Sequence, residues 1–100
     1  MNFTELIQAV IEWGNNRDLI HRNNAPFQMM KVTEEIGELA AALSRNRETE
    51  LRDAIGDSFV TLIILAAQTG HDPTQCLKEA YAEIAGRKGQ TVNGTFIKDE

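Results

Sequence analysis

Six carboxylates fall into two tight groups. Glu34, Glu35 and Glu38 crowd five positions of KVTEEIGELAAAL, Lys31 to Leu43, and Glu50, Asp53 and Asp57 recur at the head of ELRDAIGDSFVTLIILAA. On a helix, spacings of three and four bring side chains to one face, where like charges repel. Asp57 stands directly before an apolar run, so the second helix is expected to carry it toward the core, where an unpaired carboxylate is costly. Nearby cations do not balance these acids: Arg52 falls away from the Asp53/Asp57 face, and Lys31 is one charge against several. A divalent cation would resolve the conflict. Mg²⁺ and Mn²⁺ take hard oxygen ligands, and Mg²⁺ keeps part of its shell for water and phosphate. The plainer reading, a solvated acidic helix face, suits EEIGE taken alone. It suits less well a second acidic set that leads into an apolar helix.

Other chemistries lack their parts. A di-iron bundle needs paired Glu-x-x-His motifs, and the nearest match is the lone Asp18-Leu-Ile-His21. EF-hand, HExxH, GxSxG and P-loop patterns are absent, which removes calcium-loop, zinc-protease, triad and Walker-type mechanisms. The single cysteine, Cys76, cannot form an internal disulfide and is expected to pack in a helix interior. His21 and His71 have no neighbours in sequence that suggest a role.

The elements that must position the acids read as four helices. The first spans about Thr4 to Gly14, with Thr4 as N-cap. The second starts near Pro26, which suits a first helical turn, and runs to Ser44 with an apolar stripe of Met29, Val32, Ile36, Ala40 and Leu43. After a polar turn of about six residues, with Asn46 or Thr49 as a cap, the third covers about Glu50 to Thr69 and stops at Gly70. Its second half is apolar almost all round, as in a helix buried on most sides. Asp72 and Pro73 open a fourth helix, which ends between Gly86 and Gly89. The tail, GQTVNGTFIKDE, is an extended segment whose Asn93-Gly94 pair suits a tight turn. The short connection predicts that the second and third helices pack antiparallel, with Glu35 and Glu38 opposite Asp53 and Asp57.

The whole reads as one all-α domain over residues 1–100, a four-helix bundle with a short extended tail. Four helices of this size have a small core, and the third needs more cover than its neighbours supply. A homodimer or homotetramer that shares the helical core is therefore expected. With 42% hydrophobic and 25% charged residues the composition is that of a globular chain. A net charge of −5 argues against a nucleic-acid partner, which needs a basic surface. The longest apolar run, from Phe59, is about half of a membrane span, and the N-terminus lacks a basic leader. A cytoplasmic chain with no membrane partner is the expectation.

Glu34-Glu35-Ile36-Gly37-Glu38, followed by GDSFVTLIILA and closed by RKGQTVNGTF, resembles the MazG-like all-α nucleoside triphosphate pyrophosphohydrolases. That family carries Glu-Glu-x-x-Glu on one helix and Glu-x-x-Asp at the head of the next. Asp57 takes the aspartate position here, but Ala54 stands where the glutamate belongs. Asp53 is the natural substitute, and Glu50 is the alternative. The resemblance implies hydrolysis of a nucleoside triphosphate to the monophosphate and pyrophosphate with Mg²⁺ or Mn²⁺. It implies catalytic roles for Glu34, Glu35, Glu38 and Asp57, with Glu35, Glu38, Asp53 and Asp57 on the metal. Glu34 would serve a second metal or orient the attacking water. Lys31, Arg87 and Lys88 are candidates for phosphate and Trp13 for the base, each with a plainer role as an ion pair, helix-end charge or packing residue. The rival reading is a non-catalytic helical dimer whose acidic face binds a basic partner.

Overall fold

The computed structural model describes all residues, Met1–Glu100. Four helices, α1 (Phe3–Asn15), α2 (Ala25–Ser44), α3 (Glu48–Gln68) and α4 (Pro73–Ala85), are followed by a hairpin of β1 (Gly89–Val92) and β2 (Thr95–Lys98). A single 3₁₀ turn, Arg22–Asn24, leads into α2. The fold is thus mostly helical with a small antiparallel sheet in place of a plain extended tail. Asn93 and Gly94 both have positive φ, 52° and 80°. That is the two-residue turn whose twist suits a hairpin, and it pairs Val92 with Thr95 and Gly89 with Lys98.

Helix ends follow local chemistry, not always at the residues expected. Asn2, not Thr4, caps α1: its Oδ1 accepts from Glu5 N at 2.8 Å, and Glu5 Oε1 accepts from Asn2 N in return. Behind α1 the chain turns back so closely that Ile20 lies against Gly14, where a Cβ would meet Ile20 Cδ1 at 2.7 Å. Asn24 spends its side chain on Leu19 O (3.1 Å) and leaves the start of α2 without a side-chain cap. At the far end of α2, Asn46 takes φ 55° while Asn46 N bonds Leu43 O and Arg47 N bonds Ala42 O. This closing motif satisfies the last carbonyls and shortens the connection to Arg45–Arg47, tighter than expected. It lets α3 begin at Glu48 with no side-chain cap, so neither Asn46 nor Thr49 serves as one. Asp72 caps α4 through Thr74 N at 3.0 Å, as expected.

α2 and α3 are the central antiparallel pair, and α1 lies along α3. Their contact surface is small and polar. α2 turns Gln28, Val32 and Ala42 fully inward, with Glu35 and Leu39 half-buried, and meets Ala54, Ser58 and Thr61 of α3. Gln28 Nε2 donates to Thr61 O at 3.2 Å and Ser58 Oγ to Ala54 O at 2.7 Å, so these two polar side chains of the seam are partnered. The expected stripe is therefore displaced by about one position: Met29, Ile36, Ala40 and Leu43 are exposed, and only Val32 holds. Small residues on α3 allow close helix approach, and close approach leaves no room for the large side chains of α2, which form a second, outward face.

The same holds elsewhere. Phe59, Val60 and Leu62 are exposed on α3, and every residue from Gln75 onward is exposed. Cys76 is exposed too, against expectation, because α4 stands off from α3 across an apolar groove. Met30 and Tyr81 are likewise exposed. Only ten residues are buried outright. The accessible surface is 7746 Å², roughly 2,000 Å² more than the size scaling gives for a compact monomer of this mass. The radius of gyration, 15.9 Å, exceeds the ~13 Å of a compact 100-residue domain. No helix is long and apolar enough to cross a membrane.

Candidate active site

The antiparallel pairing of α2 and α3 brings the two acidic groups together. Glu38 from the second half of α2 and Arg45 just past its end, with Glu50, Asp53 and Asp57 from the first half of α3, line one open cleft of about 300 Å³ floored by Ala41, Ala42 and Ala54. Asp53 and Asp57 are exposed at its edge. The apolar run after Asp57 does not draw it into the core; Glu35 of the facing helix is the half-buried acid.

Glu35 lies on the inward stripe of α2, seven residues from both Gln28 and Ala42. Its Oε2 is shut off from solvent and has no hydrogen-bond partner. Desolvation is the largest cause that holds its carboxyl above the ordinary value of 4.5; the charges of Glu38, Asp57 and Glu34 and a hydrogen bond with Glu38 push the same way. No cation of the chain answers it. Lys31, one turn earlier, pairs with Glu34 at 3.5 Å instead of Glu35.

Whether these residues suit a cation can be judged from the donors. A buried, unpartnered carboxylate oxygen in an all-acid setting is the type of group that a hard cation satisfies, and the donor set is entirely oxygen. In this structure the side chains are spread along the cleft: no three His, Cys, Asp or Glu side chains converge on one point. The two facing helices supply the donors, and Asp53 and Asp57 are exposed at the cleft edge. The residues present fit a divalent cation on these grounds.

Other residues singled out by sequence lie apart. Trp13 is half-exposed near the end of α1, with the Arg17 guanidinium 4.2 Å over its ring. This end of α1 adjoins Leu19, whose carbonyl accepts from Gln68 at the last turn of α3, about 16 Å along that helix from Asp57. Arg87 pairs with Glu83 at 3.4 Å, and the Lys88 carbonyl accepts from Asp99 N at 2.8 Å. Neither lines the cleft. His21 pairs with Asp18 on the surface. Arg45 was not expected in the cleft, yet the signal existed: it follows Glu38 by seven residues, two turns on one face. Glu50 is held by Arg47 at 3.4 Å, whereas Asp53 forms no ion pair, so Asp53 is the freer stand-in for the carboxylate missing at Ala54.

An antiparallel helix pair that offers carboxylates from both members to one cleft defines a helical protein with an all-oxygen acidic site. The chain belongs to the MazG family: the MazG nucleotide pyrophosphohydrolase domain matches residues 26–90. The match takes in α2, α3, α4 and the start of β1, and so the whole acidic cleft, while α1 with Trp13 lies outside it. The family is one of nucleotide pyrophosphohydrolases, which generally depend on a divalent metal. Over 68 residues the chain is 35% identical to an uncharacterized 18.2 kDa protein in the rep-hol intergenic region of Haemophilus phage HP1 (strain HP1c1). That alignment covers 68% of this chain and 42% of the phage protein, so the chain spans less than half of that relative. No solved structure matches the chain.

Proposed function

We propose that the chain is a metal-dependent nucleoside triphosphate pyrophosphohydrolase of the cytoplasm, converting (d)NTP to (d)NMP and pyrophosphate in nucleotide-pool house-cleaning. The observation that carries this reading is the unpartnered, buried Oε2 of Glu35 beside a cleft lined by four carboxylates and one arginine. Glu35, Glu38, Asp53 and Asp57 would hold Mg²⁺ or Mn²⁺. When bound, the ion offsets the repulsion between carboxylates and phosphates and acidifies a water molecule. Glu34 sits one turn ahead of Glu38 and orients the attacking water, taking its proton as general base. Glu34 pairs with Lys31 at 3.5 Å, and Lys31 would offer its positive charge to a phosphate oxygen.

The active form is a homodimer or homotetramer. The excess surface is close to what each subunit of an obligate dimer buries, and the apolar outer faces of α2 and α3 supply it. Trp13, Arg87 and Lys88 are remote from the cleft of their own chain and would take part in substrate binding from such an assembly. The test is release of pyrophosphate from each canonical and modified triphosphate with Mg²⁺ or Mn²⁺, beside Glu38→Ala. Turnover that needs metal and is lost in the variant supports the reading. Absence of turnover on every triphosphate with either metal refutes it.

A further inference from the structure

We propose that Arg45 anchors the pyrophosphate end of the substrate, an assignment that rests on the triphosphate reading of the cleft. Arg45 is the one cationic side chain among the residues lining it. Although Glu38, Glu50, Asp53 and Asp57 line the same space, Arg45 forms no ion pair with any of them. Its neighbour Arg47, by contrast, is spent on Glu50.

The backbone under Arg45 is fixed. It is the C-cap of α2, its N–H donates to Ala41 O at 3.0 Å, and the left-handed Asn46 closes the helix behind it. Arg45 thus stands at one end of the cleft that Glu38 also lines. Two turns, about 10 Å of helix, separate the two residues, a gap that a long side chain narrows to the span of a triphosphate tail.

Direction follows from what surrounds the cleft at this end. Beyond Arg45 the chain is Asn46, Arg47 and Glu48, so Arg45 and Arg47 together put positive charge at this end. The phosphate tail therefore lies toward Arg45 and the nucleoside away from it. A triphosphate entering a cleft of four carboxylates needs fixed positive charge at the end that departs as pyrophosphate. A guanidinium supplies it as a rigid fork matching two phosphate oxygens.

The experiment compares wild type, Arg45→Gln and Arg45→Lys in the full chain. Calorimetry measures binding of inorganic pyrophosphate and of nucleoside monophosphate in the presence of Mn²⁺; spin resonance measures Mn²⁺ itself; kinetics give KM and kcat. Arg45→Gln should weaken pyrophosphate binding roughly ten- to hundredfold, the loss of a charge-assisted pair, and raise KM for the triphosphate. Monophosphate and Mn²⁺ affinities should stay unchanged, with Arg45→Lys intermediate. Pyrophosphate binding equal to wild type in Arg45→Gln, or an equal loss of monophosphate and Mn²⁺, overturns the assignment while leaving the function standing. A wild type that neither binds Mn²⁺ nor releases pyrophosphate overturns the function, and the assignment with it. Arg45 is exposed at a helix end, so both variants should fold, which circular dichroism checks.

Discussion

Glu35→Gln should reverse its effect on stability with metal. In the structure every influence on Glu35 opposes ionisation: desolvation first, then Glu38, Asp57 and Glu34. A carboxyl whose folded pKa lies above 4.5 stabilises the fold at pH below the unfolded value. It loses that contribution as pH rises through the raised folded value. Ionisation of Glu35 as pH rises thus works against the metal-free fold, and the isosteric amide removes that opposition. The variant should melt above wild type in EDTA at pH 7, and the gap should shrink on acidification. Folding of the metal-free wild type should take up at most about one extra proton. With Mn²⁺ the order inverts. An ion present at a hundredfold its dissociation constant stabilises by about 2.7 kcal/mol. For a domain of this size, at 4–8 °C per kcal/mol, that is roughly 10–20 °C in Tm. The variant, lacking the buried ligand, should gain little of it. Differential scanning fluorimetry of both proteins, with EDTA and with millimolar Mn²⁺, at several pH values, measures all of this. A wild type already the more stable in EDTA at pH 7, or equal gains from metal in both proteins, would show that Glu35 is not a strained ligand.

Three further outcomes follow from the packing. Ala54→Leu overfills the α2/α3 seam, where Ala54 is 5% exposed, and should cost about 1–3 kcal/mol in urea unfolding; a neutral result would mean the helices are not this close. Ile36→Glu, on the outward face of α2, should leave the isolated chain's stability within about 0.5 kcal/mol but shift sedimentation from oligomer to monomer. A wild type that is monomeric at micromolar concentration would remove the basis for that shift. Asn2→Ala breaks the capping box of α1 and should cost about 1 kcal/mol, read as a lower urea midpoint with unchanged slope.

Much of the fold was legible in the residues. Pro26, Asp72-Pro73, Gly70 and Asn93-Gly94 set ends and turns through chemistry that acts over a few residues, and the structure places breaks at each. What was not legible was the rotation of α2. Hydrophobicity favours Met29, Ile36 and Leu43 as the inner stripe, but the neighbouring helix decides. α3 offers Ala54, Ser58 and Thr61, and a seam of small and hydroxyl side chains selects Gln28, Val32 and Ala42 as its complement. Thr4 misled for a simpler reason: Asn2 stands three residues before Glu5 and completes the reciprocal pair that Thr4 cannot.

The same rotation explains the site. Lys31, Glu35, Glu38 and Ala42 stand beside the stripe chosen for its apolarity, and it is Glu35 and Ala42 of this neighbouring row that turn inward. Stability alone would not place a glutamate there, since Leu39 and Val32 on the same stripe show that the seam accepts aliphatic side chains. An apolar residue in that place would carry no orphaned oxygen and no repulsion from Glu38 and Asp57. The departure from the lower-energy choice occurs where the acidic cleft begins, and Asp57, the residue that sequence pattern marked for burial, stays exposed across from it. One carboxylate fixed in the seam with others free to swing is a workable division for gripping an ion. The buried member sets position, and the exposed members adjust to whatever phosphate enters. Ala54 fits this division. With Glu35 already inside the seam, a second acid at a 5% exposed position of the facing helix would put two like charges in the least solvated part of the site. On the proposed metal reading the acidic function would lie one residue earlier, at the exposed Asp53, where water makes it tolerable.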